Sequence, residues 1–369
     1  MELNLNIGRT QIFIHSEICY RHRFHNLNKG GDQRRFYRQH VEMNISQHES
    51  NIQESIERFE VIVERFGFWP TNSLIAQWFQ HEKEILVQRI DLPQDLSLAE
   101  DLDQWCDAFL EPINLHSPTS VDIWITPTDR NRETHSLLRL IESRVELARM
   151  GNFEFTRIDA DSILLRSCTR SCSRSCAKHR WTPSPHLLRI ADSRSVLSNE
   201  FAYQPELGIS EKVTRSAREN IQRKSAKWRA TEVAFLHQTV GHKIALTESK
   251  IARIAQAFTV IGVRDAFLWD LAAQRVDSTA TAEQLSAMLP HLTGDLVTPI
   301  ATVAGTCWWL SGNGAKANMC ADRAHEGSRG YALTSLLQAA LRAGLPPRFW
   351  VEGVLELSRS ECLDGGKVA

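Results

Sequence analysis

The chain has 369 residues, of which 42% are apolar and 24% charged, with a formal net charge of -1. That length exceeds what one hydrophobic core usually serves, and the composition is that of an ordinary globular protein, so about two domains are expected. No apolar run approaches the roughly 18 to 20 residues needed to cross a bilayer, and the start MELNLNIGRTQIFIHSEI has no basic region followed by an apolar core, so a cytoplasmic protein without membrane contact is expected.

Residues 1–50 cluster Arg21, His22, Arg23, His25, Arg34, Arg35 and Arg38 with weak periodicity. They read as an N-terminal extension, partly disordered and strand-like only at Gln11–Ile14. From Ile52 the apolar positions Ile56, Phe59, Ile62 and Val63 recur at helical spacing until Gly67 breaks the run. Two β-type runs follow, Ser73–Phe79 and Ile85–Asp91, separated by polar Gln80-His81-Glu82-Lys83, which predicts a hairpin. Leu98, Leu102, Trp105, Cys106 and Phe109 form one apolar helix face, Ser120–Thr126 a buried strand, and Leu137–Met150 a second helix. Strands at Glu154–Ile158 and Ser162–Leu165 complete a small α/β domain over residues 51–166, with a mixed sheet carrying helices on at least one face.

Residues 167–210 read as a basic, Cys-containing connector. Beyond it, helical patterns follow one another at Lys212–Gln238, Ser249–Phe258, Val263–Ala272, Thr281–Leu289, Leu296–Leu310, Ala315–Ala324, Tyr331–Ala343 and Pro347–Leu357, divided by short Gly, Ser, Thr or Pro turns. An all-helical domain over residues 211–360 is expected, followed by a tail, 361–369. The fold class is therefore an α/β mixed-sheet N-terminal domain followed by an all-α helical C-terminal domain.

The near-neutral total conceals an uneven distribution of charge. Residues 51–165 hold 21 acidic side chains against 10 Lys and Arg, whereas residues 166–230 hold 14 Lys and Arg against 5 acids. Such opposite segments attract one another, and a basic stretch also suits a polyanion. Within it, Arg215, Arg218, Arg223, Lys224, Lys227 and Arg229 surround Trp228, a pattern that follows a nucleic-acid backbone while an aromatic ring stacks on a base. The spacing of Arg215 and Glu219 supports instead a solvated helix face with internal pairing.

Eight Cys in a chain this long are no disulfide framework. Three of them, Cys168, Cys172 and Cys176, stand at intervals of four with His179 three residues further on. A Cys₃His set suits zinc in softness and charge, although zinc knuckles use a two-residue gap; reduced thiols with no ion are the competing reading. The turn Gly312-Asn313-Gly314 ahead of Lys316 has no preceding strand and lacks the phosphate-loop spacing, so it reads as an ordinary interhelical turn capped by Asn313. Trp308, Gly312 and Ala324 have the offsets of a single tetratricopeptide unit without a second copy, which supports a helical hairpin of the kind that holds peptides. The run Gly67–Ser73 reads as a helix stop and turn, and Arg89 and Asp91 share one sheet face. Ser73, Asp91, Trp308 and Trp309 are the candidates for a pocket at the domain junction, because two adjacent Trp residues on one helix are expected to face different surroundings.

The stretch Ala304–Trp350, with Gly67-Phe68-Trp69-Pro70-Thr71-Asn72-Ser73-Leu74 and Arg89-Ile90-Asp91-Leu92-Pro93 upstream, resembles a bacterial family, the Domain of Unknown Function family 4192, over most of residues 52–358. In the usual form of that family two Cys are adjacent where this chain has Cys168, Cys172 and Cys176, so the spacing departs from it. The resemblance implies a domain layout and carries no activity with it. Gly-x-Ser-x-Gly, His-Glu-x-x-His and dinucleotide fingerprints do not occur in the sequence. The leading expectation is a non-catalytic interaction or regulatory module whose helical domain binds an unidentified protein or peptide. The alternatives are a nucleic-acid-associated protein using residues 166–230, with zinc at the Cys cluster, and an enzyme acting at the domain junction.

Overall fold

The computed structural model of the protein describes residues 3–7, 10–14, 53–93, 99–127, 152–158, 164–168, 179–180, 183–221, 225–240 and 245–365, with positions 137, 140, 141, 143, 144 and 242. The chain divides into two compact units, Met1–Glu64 with Pro70–Ile190 and Arg65–Trp69 with Ala191–Ala369. An α/β mixed sheet characterises the first and helices the second.

The first unit opens with an antiparallel pair, β1 (Leu3–Ile7) and β2 (Thr10–Ile14), so the strand expected at Gln11–Ile14 has a partner that sequence reading overlooked. Its main element is a six-stranded sheet in the order β4-β3-β5-β6-β7-β8. The strands are β3 (Ser73–Gln80), β4 (Lys83–Asp91), β5 (Ser120–Thr126), β6 (Asn152–Ile158), β7 (Leu164–Cys168) and β8 (His179–Arg180). All neighbours are antiparallel except β5 and β6, and a parallel pair needs a long crossover. The helical positions 137, 140, 141, 143 and 144 lie in that crossover.

β3 is buried at six consecutive positions because both sheet faces are covered. On one face Leu74, Ala76, Trp78, Val121, Ile123 and Ile125 meet Cys106 and Phe109 of α2 (Ala99–His116), together with Leu137 and Ile141. On the other, Trp124 packs on Phe59 of helix α1 (residues 53–66) at 6.2 Å between ring centroids, and its Nε1 donates to Ser55 Oγ at 3.1 Å. The sheet is thus sandwiched. The hairpin between β3 and β4 closes through His81 and Glu82, both with positive φ (50° and 66°), the pair of left-handed residues that matches strand twist.

The stretch read as a connector is shared between elements. Cys168 ends β7, the short β8 adds a sheet edge, and residues from Ala191 onward join the helical unit, including α3 (Arg194–Asn199). There Ala191 pairs with Gly67 and Trp69 through the bonds Ala191 N to Gly67 O (3.3 Å) and Trp69 N to Ala191 O (2.8 Å).

The helical unit contains α4 (Glu211–Ile221), α5 (Ala226–Thr239), α6 (Glu248–Phe258), α7 (Ile261–Ala272), α8 (Ser278–Ser286), α9 (Val297–Leu310), α10 (Gly314–Gly327), α11 (Ala332–Arg342), α12 (Pro347–Leu355) and α13 (Arg359–Asp364). The single helix expected at Lys212–Gln238 is two, because Ser225 caps α5 by accepting from Trp228 N at 3.2 Å. α13 begins with a capping box between Ser358 and Glu361, inside what read as the end of the domain and its tail.

α9 is buried from Val297 to Trp309 and carries no charge, as a helix surrounded by others must be. It packs closely enough that a methyl at Gly305 would stand 2.9 Å from Leu337 Cδ2 and 3.2 Å from Ala317 O. Its hydroxyls are paired: Thr298 donates to Ala324 O (3.0 Å), Thr306 to Thr302 O (2.9 Å), and Thr302 bonds Thr334 (2.6 Å).

Candidate functional site

In the helical unit the apolar stripe of α7 runs through Val263, Ala266 and Phe267 and then meets Asp270 at the next turn of the same face. Asp270 is fully buried. A buried carboxylate is stable only with partners, and this one has three. Arg359 of α13 donates through Nε at 2.8 and 3.0 Å and through Nη2 at 2.9 Å; Arg275 donates at 3.3 Å; His237 of α5 lies 2.9 Å away through Nε2. Burial by itself would raise the pKa of Asp270, but the hydrogen bonds from His237 and Arg359 and their charge outweigh it and hold the group below the usual aspartate value. Two guanidinium groups share this one carboxylate.

The chain turns directly after α7. Gln274 takes a left-handed conformation (φ 55°), and Arg275 N bonds back to Asp270 O at 2.9 Å. This places the guanidinium of Arg275 over the Trp269 ring, 4.7 Å from its centroid, with about half of the side chain still in solvent. Beside it opens a cleft of about 450 Å³, with Gln274, Arg275, Asp277 and Ser278 as polar lining and Leu310 and Val351 among its apolar walls. Asp277 is committed to capping α8 through Ala280 N (2.6 Å), and Ser278 Oγ accepts from Ser311 Oγ (3.0 Å). Arg275 is therefore the cation that this cleft offers to an incoming group.

The sequence-predicted residues fall elsewhere. Cys168 pairs in register with Phe155 at the end of β7, and His179 sits opposite Leu165 in β8; Cys172 and Cys176 lie outside the described residues. Among the described residues no group of three His, Cys, Asp or Glu could hold a metal ion. Of the basic set, Arg215 binds Glu211 (2.8 Å), not Glu219; Arg229 binds Asp364 (3.0 Å); Lys227 is exposed; Arg218 belongs to α4; and Arg223 and Lys224 lie outside the described residues.

The four junction candidates are held within their own units. Ser73 is buried and donates to Thr71 O (2.7 Å), while Asp91 is exposed and pairs with Arg89. Trp308 donates to Ser286 Oγ (2.9 Å) and Trp309 to Leu345 O (3.1 Å), and both are buried. The adjacent Trp residues face different neighbours, Ser286 and Lys316 for Trp308 and Leu345 for Trp309, all within the helical unit. Cys307 and Cys320 share this core; burial pushes both thiols up, Cys320 to about 12, so they stay protonated and unreactive at neutral pH.

No described helix is long and apolar enough to cross a membrane. Fold and site together define a chain with a mixed α/β unit and an all-helical unit whose polar cleft lies beside a buried carboxylate. Residues 190–348 match the family model described as Domain of unknown function (DUF4192). The match covers most of the helical unit and neither 67–74 nor 89–93, where sequence likeness was also read. No curated protein and no solved structure matches the chain.

Proposed function

We propose that this protein is a non-catalytic cytoplasmic interaction module that takes a protein segment into the cleft beside Arg275. The observation that carries this reading is the guanidinium of Arg275, half in solvent at the cleft, with Leu310 and Val351 alongside and with the lining carboxylate of Asp277 engaged in capping α8. A peptide joining a carboxylate to an apolar side chain is complementary to such a surface, and a planar guanidinium suits a carboxylate well.

The test is selection of peptides from a random display library on the full chain. Sequences combining Asp or Glu with Leu or Phe are expected to enrich, and their binding to weaken at least about tenfold in Arg275→Ala, in line with loss of a charge-assisted contact. Enriched peptides that bind Arg275→Ala and Val351→Asp as well as the unaltered chain would defeat the reading.

A second reading rests on the basic excess of residues 166–230, where exposed Lys227 opens α5. Nucleic-acid binding through it falls steeply with salt and with Lys227→Glu; binding indifferent to both removes it.

A further inference from the structure

α12 turns one face inward and leaves the other in solvent. Trp350, Val351 and Val354 are partly buried, whereas Arg348, Phe349, Glu352, Gly353, Leu355 and Glu356 are exposed. Phe349 is 51% exposed and Leu357, just beyond the helix, 45%, both high for large apolar side chains. Glu356 keeps helical φ and ψ, so the two rows of this face continue to the end of the segment.

The rows have a particular symmetry. Phe349, Gly353 and Leu357 stand four apart, with a glycine at the centre and a large apolar residue on either side. Nothing lies within 4 Å of the place where a Cβ of Gly353 would be, so that position is open to close approach by another helix. In the neighbouring row Arg348, Glu352 and Glu356 also stand four apart, with opposite charges at the ends. An antiparallel copy of the same helix, crossing at Gly353, sets Phe349 against Leu357 of the other copy and Arg348 against its Glu356, each twice. The two Glu352 side chains then approach each other at the rim. Two attractive pairs oppose one repulsive pair, and the apolar contacts lie between them.

We propose that this exposed face is where two copies of the chain associate, antiparallel about Gly353, in an isologous contact. This surface is distinct from the Arg275 cleft, and the pairing does not depend on what that cleft binds.

The experiment is sedimentation equilibrium on the full chain and its variants, at concentrations up to about 100 µM, with circular dichroism as the check on folding. The unaltered protein should reach a monomer–dimer equilibrium. Arg348→Glu and Glu356→Arg should each weaken it at least about tenfold, since each turns two attractions into two repulsions. An equimolar mixture of these two variants should pair again, because each supplies what the other lacks, and the double variant should likewise pair with itself. Gly353→Leu should abolish association with the fold intact, and Glu352→Gln should tighten it. A chain that stays monomeric over the whole range, a dimer indifferent to these changes, or single variants that do not recover on mixing would each overturn the proposal.

Discussion

Asp270 shows how one residue organises its surroundings. Its carboxylate joins three helices and the turn after α7 through His237, Arg359 and Arg275. Removing it in Asp270→Ala leaves two guanidinium groups without their acceptor, and a loss of about 3 kcal/mol is expected in urea unfolding, near the lower end for a broken buried pair because both Arg side chains reach water. Since the folded pKa is depressed, this stabilisation is complete above the ordinary aspartate range and disappears as the pH falls through the lower folded value. Acid unfolding should therefore be shallower in Asp270→Asn than in the unaltered chain. Cys106 has the opposite sign: burial, the largest cause, pushes its thiol up to about 11, so its contribution holds below the ordinary thiol value of 9.0 and is lost as the pH rises toward 11. With Cys307 and Cys320 it should resist a thiol reagent until the protein unfolds, as mass spectrometry of the labelled chain would show. The zinc reading of Cys168, Cys172, Cys176 and His179 has its own measurement. One zinc per chain purified without chelator, lost in Cys172→Ser, is the expected outcome, and equal metal content in both would remove it.

At the scale of elements, close approach decides which helices meet. A methyl at Gly262 of α7 would stand 2.2 Å from Leu363 O of α13, and this is backbone that cannot swing aside. Gly262→Ala should displace α13, loosen the Arg359–Asp270 bonds and open the C-terminus to limited proteolysis, despite the better helix propensity of alanine. Asn313 acts differently. Its side chain caps α10 by accepting from Lys316 N at 3.0 Å, and Asn313→Ala should cost about 1 kcal/mol in thermal unfolding without altering the fold. Only the second of these features was legible in the sequence. The Asn313 cap and the glycine turn before it were read from local spacing, because a cap is a matter of adjacent residues. The contact at Gly262 lies between positions about a hundred apart, and nothing in its neighbourhood announces it.

For the whole molecule, two separate cores predict two separate failures. One is built around Trp78 and Phe109, the other around α9. Calorimetry of the full chain should give an enthalpy larger than a single two-state transition explains. A single transition with matching enthalpies would show that the units unfold together. The boundary is informative as well: residues 65–69 belong with the helical unit although the chain on either side belongs with the sheet. Sequence reading placed a boundary by composition, and composition cannot register a short strand bridge such as Phe68 with Ala191.

The sequence by itself determined the fold class and most of the elements. Period-2 runs such as Ser73–Phe79 and period-3.6 runs such as Ser249–Phe258 carry their structure in neighbouring residues, whereas the break that Ser225 makes inside Lys212–Gln238 was missed. One signal of the site was present too: a lone aspartate on the apolar stripe of α7, which must be buried with partners. Tertiary structure alone decided what those partners are. His237 and Arg359 stand 33 and 89 positions from Asp270, and only packing of α5, α7 and α13 brings them within hydrogen-bond reach. The same holds for Trp308 and Trp309, whose surroundings depend on α9 being enclosed, a property of its neighbours and not of its own residues.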